Sequence, residues 1–197
     1  MTRLRLHSSR WANDQRGVTL LETAIVIPIL LMLAIGLAEV GFLVIDQMAV
    51  SNAAREGARV GAAAARYDDG PITADTLILR SVEQALCHLD NGRPERVLIY
   101  PADADGGFAN PGMINEYRLP PAASLNCTST GVSSFVCAGT CPGPWIPKTR
   151  DNVPPDLVDV GVRIDYNHTP ILGFFPFDGV IDLSDRAVMR IEPDTRG

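Results

Sequence analysis

Three groups of residues have types and spacings that could do chemistry. The first is Arg16-Gly17-Val18-Thr19-Leu20-Leu21-Glu22. A basic leader ends in glycine, an apolar run begins at once, and a carboxylate stands at the fifth position after that glycine. A carboxylate inside a spanning segment costs ~2.5–3.5 kcal/mol, so Glu22 needs a cationic partner or a place at the headgroup edge. The second group is four cysteines, Cys87, Cys127, Cys137 and Cys141. An even count in an oxidising compartment predicts two disulfides, with three possible connectivities. Cys127 with Cys137 or Cys141 would close one loop, and Cys87 would then tie a helix to it. Zinc is the rival, with His88 adding a ligand, but the short C-x₂-C pairs of zinc ribbons are missing. The third group, Asp103-Ala104-Asp105-Gly106-Gly107, lacks the further oxygen ligands and closing Glu of a calcium loop and reads as a turn. His88 and His168 are isolated, and Ser129 to Ser134 holds no nucleophile elbow. With no P-loop or dinucleotide glycine motif either, the sequence predicts no enzyme, no catalytic residue, no metal and no cofactor.

The elements that must position these residues follow from an uneven distribution of charge. Residues 1–17 carry four arginines against Asp14, a net charge of +3, while residues 18–197 carry 13 basic and 22 acidic side chains, net −9. The total of −6 argues against a nucleic-acid partner, which needs a basic face. Between the two regimes Val18 to Ile45 contains only Glu22 and Glu39 as charges. As a helix it would span roughly 42 Å, more than the ~30 Å hydrocarbon core, and it shows no polar face between Thr23 and Ala38. It reads as one transmembrane helix in a lipid bilayer, with Pro28 tolerated inside it. The arginine-rich side stays cytoplasmic and the remainder lies outside. A cleaved secretory signal is disfavoured by the length of the run and the lack of a clean small-residue site after it.

The glycine, the apolar start and Glu22 resemble the processing site of type IV pilins and pseudopilins. That resemblance implies a prepilin-type peptidase cutting between Gly17 and Val18 from the cytoplasmic side. Val18 would bear the new N-terminus, and Glu22 would neutralise that α-amine in its own chain or a neighbouring subunit. Farther on stand Glu39-Val40-Gly41, Gln47 and Asn52-Ala53-Ala54-Arg55-Glu56-Gly57-Ala58-Arg59. Together with the start of the helix they resemble the TadE/TadG-like family, pseudopilin-like parts of the tight-adherence (Flp, type IVb) pilus machinery. The resemblance covers about residues 16–66, with a fainter echo at Val160-Gly161-Val162 and Arg186 to Pro193. One departure is Thr23, where Flp pilins and many relatives carry an aromatic residue. The family implies a non-enzymatic minor pilin or assembly component of the plasma membrane, with other pilins or assembly proteins as partners. An unprocessed single-span display protein of the envelope is the alternative.

The outer part divides into a helical continuation, 46–66, and a small α+β domain, 67–197. Ala54, Ala58, Gly61 and Ala62 form a stripe of small residues that lets another backbone approach, either a sister helix or this chain's own sheet. Thr73 or Asp75 caps a second helix running to about Leu89. Arg96 to Tyr100 and Ile114 to Leu119 read as short strands, and Asn126 to Pro155 as an irregular excursion. Leu157 to Tyr166 and Val180 to Ile191 read as an antiparallel pair. The expected fold class is α+β, a long N-terminal helix carrying a pilin-like head.

Overall fold

The computed structural model describes residues 15–89, 92–128, 132–139, 143–171 and 179–193. The leader residues 1–14 and Cys141 lie outside the described residues. The chain divides into two compact units, Met1–Val40 and Gly41–Gly197.

Helix α1 runs Gln15–Ala63, 49 residues, with Pro28 inside it. It starts before Gly17 and stops short of the expected Arg66. Tyr67 donates to the carbonyl of Ala64 at 2.7 Å, which turns the chain into a two-residue hairpin, β1 (Asp68–Asp69) and β2 (Ile72–Thr73). Gly70 takes φ +62° at the hairpin tip, a conformation glycine adopts without strain. In the first unit every described residue from Gly17 to Ala34 is exposed. Thr23 donates its hydroxyl to the Thr19 carbonyl at 2.8 Å, so it needs no water. Among the described residues this is the one helix long and apolar enough to cross a membrane, and its most apolar 18-residue stretch has mean hydropathy 2.5. The chain is thus read as a single-pass membrane protein.

The second unit is built on a five-stranded antiparallel sheet of order β5-β4-β3-β6-β7. Its strands are β3 (Gly92–Ala102), β4 (Asn115–Arg118), β5 (Val136–Cys137), β6 (Asp159–His168) and β7 (Ile181–Arg190). The pair β6–β7 keeps one register throughout, from Asp159↔Arg190 to His168↔Ile181. Strand β3 is longer than the sequence predicts because prolines normally interrupt central strands. Here β4 covers only Arg96 to Ile99, and Pro94 and Pro101 fall beyond it, with a register shift between Pro94 and Arg96.

Helix α2 spans Ala74–Leu86. Thr73, not Asp75, is its N-cap, in a capping box with Thr76. Its apolar positions Ile78, Leu79, Val82 and Leu86 are buried, as a period of 3.6 requires. In α1 the buried positions Val50, Ala53, Ala54, Ala58 and Ala62 continue the same kind of stripe, and Ala65 just past its end is buried too. Both helices share one core with Val97, Ile99, Val160, Val162, Ile164 and Tyr166 of the sheet. The opposite sheet face is covered by the loop after β3. Phe108 meets the Tyr100 ring edge-on at 4.4 Å, and Tyr100 donates to the Gly106 carbonyl. In that loop Asp103 Oδ1 accepts from the backbone of Asp105 and Gly107, so the carboxylate closes the turn.

The closest approach between α1 and its neighbours is at Gly57 and Gly61. A β-carbon on Gly57 would sit 2.8 Å from Val82 and 3.2 Å from Val162. One on Gly61 would sit 3.0 Å from both Ile78 and Val160. Gly57→Leu therefore overpacks this seam and should destabilise the folded head by ~1–3 kcal/mol. Thermal melting of the detergent-solubilised chain should show a lower Tm than for Arg55→Leu on the exposed face.

Candidate functional site along the N-terminal helix

The residues singled out from the sequence fall on two stretches of α1 with different surroundings. Gly17, Val18 and Glu22 lie on the exposed stretch of α1, and Val18 is 59% exposed. A β-carbon on Gly17 would meet nothing. Gly17 lies within helix α1. Glu39, by contrast, is buried.

Ala54, Ala58, Gly61 and Ala62 lie on the other stretch and are buried within the head. They face α2 and β6, so this stripe is occupied by the chain's own sheet and second helix. Arg55 and Arg59 are exposed, and Arg59 pairs with Glu56 at 2.9 Å across one turn. The Glu56 carboxylate holds the Arg59 guanidinium above its ordinary range.

Two buried polar clusters were not legible as such in the sequence. In the first, Asp46 of α1 faces His168 at the end of β6, Oδ2 to Nδ1 2.6 Å, and both are almost fully buried. A carboxylate oxygen only accepts, which places the imidazole proton on Nδ1. The Tyr166 hydroxyl donates to the same oxygen at 3.5 Å. His168 is therefore not isolated. The signal was present: His168 continues the alternation of Val160, Val162, Ile164 and Tyr166 by one more step, and Asp46 follows directly on the apolar run.

The second cluster centres on Asp75 in the first turn of α2, where a carboxylate also meets the positive helix end. Its Oδ2 accepts from Asn115 Nδ2 at 2.7 Å and from the Tyr117 hydroxyl at 2.9 Å. Arg150 Nη2 donates to its Oδ1. Asn115 also binds both backbone groups of Trp145, and the Arg150 guanidinium lies 4.2 Å over the Trp145 ring. Burial, reinforced by the Asp75 carboxylate, pushes the Tyr117 hydroxyl far above its usual range, so it stays a donor.

Of the three connectivities that the sequence leaves open, the structure has Cys87 tying α2 directly to Cys127, so Cys127 does not pair with Cys137 or Cys141. Cys87, the C-cap of α2, is bonded to Cys127, with Cα atoms 5.7 Å apart. Cys137 is also disulfide-bonded. Cys127 is drawn to α2 because the segment before it packs there. Ala123 and Leu125 lie against the core, and the buried Glu83 accepts from the backbone of Asn126 and Ser134. The oxidised Cys87 and Cys127 are not available to zinc. His88 is exposed.

Residues 17–59 match the family model described as TadE-like protein. No curated protein and no solved structure matches the chain. The match begins at Gly17 and ends inside α1, and it takes in both the uncovered apolar stretch and the buried stripe as far as Arg59. The chain thus carries a TadE-like N-terminal region, in agreement with the resemblance read from its sequence.

Two consequences are measurable. Asp75→Ala strands Arg150 in the core without its counter-ion and should cost ~3–5 kcal/mol. Chemical denaturation followed by Trp145 fluorescence reports it. Asp46→Ala leaves the buried His168 Nδ1–H without its carboxylate acceptor and should cost ~1–3 kcal/mol. Amide exchange should show the loss first in the Asp46 turn of α1 and at the His168 end of β6.

Proposed function

We propose, from the TadE-like character of residues 17–59, that this chain is a non-enzymatic, membrane-anchored pseudopilin-like component of a tight-adherence pilus machinery. One observation carries the reading. The matched segment is a single helix whose first eighteen matched residues, Gly17 to Ala34, are exposed and almost wholly apolar, while its last part forms the wall of a folded head. Such a helix has an unsatisfied apolar surface that a bilayer, or sister helices within one, would cover.

In this reading the arginine-rich leader stays in the cytoplasm and the acidic head lies outside the inner membrane. The disulfide Cys87–Cys127 supports the assignment, since such bonds persist in oxidising compartments. A prepilin-type peptidase removes residues 1–17 and leaves the α-amine on Val18. Glu22, four residues on and exposed, neutralises that amine in its own chain or in a neighbouring subunit. The small-residue stripe at Ala54, Ala58, Gly61 and Ala62 serves the head, so lateral packing between subunits uses the earlier, uncovered stretch. The domain division follows: leader 1–17, span 18–45, helical continuation 46–66, head 67–197.

Intact mass spectrometry of the membrane-extracted protein tests processing. The expected N-terminus is Val18, and an intact start at Met1 or Thr2 supports the unprocessed display protein instead. Glu22→Ala should leave membrane insertion unchanged and reduce pilus assembly at least several-fold; wild-type piliation would remove the role given to Glu22.

A further inference from the structure

We infer that the head touches the bilayer a second time, through the exposed apolar residues Ile171 and Val180 at the two ends of the β6–β7 connection. This rests on the membrane reading of the helix above and adds a contact that the helix alone does not require.

The placement follows from three contacts along α1, all within the unit Gly41–Gly197. Gly61 lies against Val160, Gly57 against Val162, and Asp46 against His168. Helix numbers fall as strand numbers rise, so β6 runs antiparallel to α1. Past His168 the chain heads toward the apolar part of the helix. Strand β7 begins at Ile181, paired with His168, so both ends of the connection emerge at this one edge of the sheet. Asp46, which fixes the level of His168, follows directly on Ile45, the last residue of the apolar run. Ile171 stands at a bend three residues after His168, and Val180 directly precedes Ile181, so both lie next to the Asp46 level.

The chemistry of this edge fits a lipid surface. Ile171 is 51% and Val180 is 60% exposed. At the same level α1 exposes Phe42, Val44, Ile45 and Met48. The opposite edge of the sheet is different in kind: its loop after β3 carries Asp103 and Asp105 and is closed by hydrogen bonds to the Asp103 carboxylate. Exposed apolar residues at the level where the apolar run of α1 ends meet the headgroup boundary, where apolar faces settle ~5–10 Å deep.

Spin-label accessibility in the full chain tests this. Single replacements Ile171→Cys, Val180→Cys, Ile45→Cys and Met113→Cys are labelled under non-reducing conditions and reconstituted in vesicles of phosphatidylethanolamine and phosphatidylglycerol. All four positions are exposed, so the fold tolerates the label. Collisions with oxygen report lipid, and collisions with a water-soluble nickel chelate report solvent. The Ile45 label calibrates the span and the Met113 label calibrates water. Ile171 and Val180 should give an oxygen-to-nickel ratio several-fold above that of Met113. If Ile45 reads as lipid while Ile171 and Val180 match Met113, the second contact is wrong and the spanning helix stands. If Ile45 itself matches Met113, the membrane reading fails and the second contact fails with it.

Discussion

The head of this protein depends on how closely α1 can approach the sheet. Gly57 and Gly61 let the helix backbone sit directly on Val160 and Val162, with Ile78 and Val82 of α2 filling the remaining side. Alanines at 53, 54, 58, 62 and 65 add buried surface without holding the layers apart. Small side chains also lose little rotamer freedom on burial, so the seam forms at low entropic cost. Dispersion contacts fall off steeply with distance, and a helix held even one ångström farther out would forfeit much of this attraction. At the Asp46 end of the seam the apolar packing gives way to Asp46 and His168, a polar contact that fixes register along the helix where plain alanine packing would permit sliding.

The second device is the Asp75 cluster, which recruits distant chain to the start of α2. Asn115 and Tyr117 come from β4, Trp145 and Arg150 from the long segment before β6. A segment rich in glycine, proline and serine has little apolar surface to bury, so ion pairing, a cation–π contact and a disulfide supply its order instead. Glu83 performs the same task on the other side of α2 by accepting backbone hydrogen bonds from residues 126 and 134.

Periodicity made much of this legible in the sequence. The apolar run, the second helix and the β6–β7 pair stand near the predicted residues because each carries a long, regular pattern. The ends of α1 moved by about three residues, and β3 grew past two prolines that the short β4 leaves without a demand for their missing N–H groups. What local pattern could not reach were pairings between residues far apart in the chain. Asp46 and His168, Asp75 and Arg150, and Cys87 and Cys127 are separated by 122, 75 and 40 positions. Their partners are chosen by the fold, not by spacing. The loop containing Cys127 illustrates the difficulty: nearby cysteines invited a local closure, yet the backbone is held along α2 by Glu83 and delivers the thiol there.

A further consequence concerns where the chain can be cut. Residues from Asp46 to Ala65 are at once the continuation of the greasy anchor and one wall of the head's interior. A water-soluble derivative must therefore retain helix from upstream of Asp46 onward. Removing the anchor at the boundary suggested by the family match, after Arg59, would strip away Val50, Ala53, Ala54 and Ala58 and open the interior to solvent. The anchor and the head are separate by chemistry but share a length of backbone, so neither can be trimmed without regard to the other.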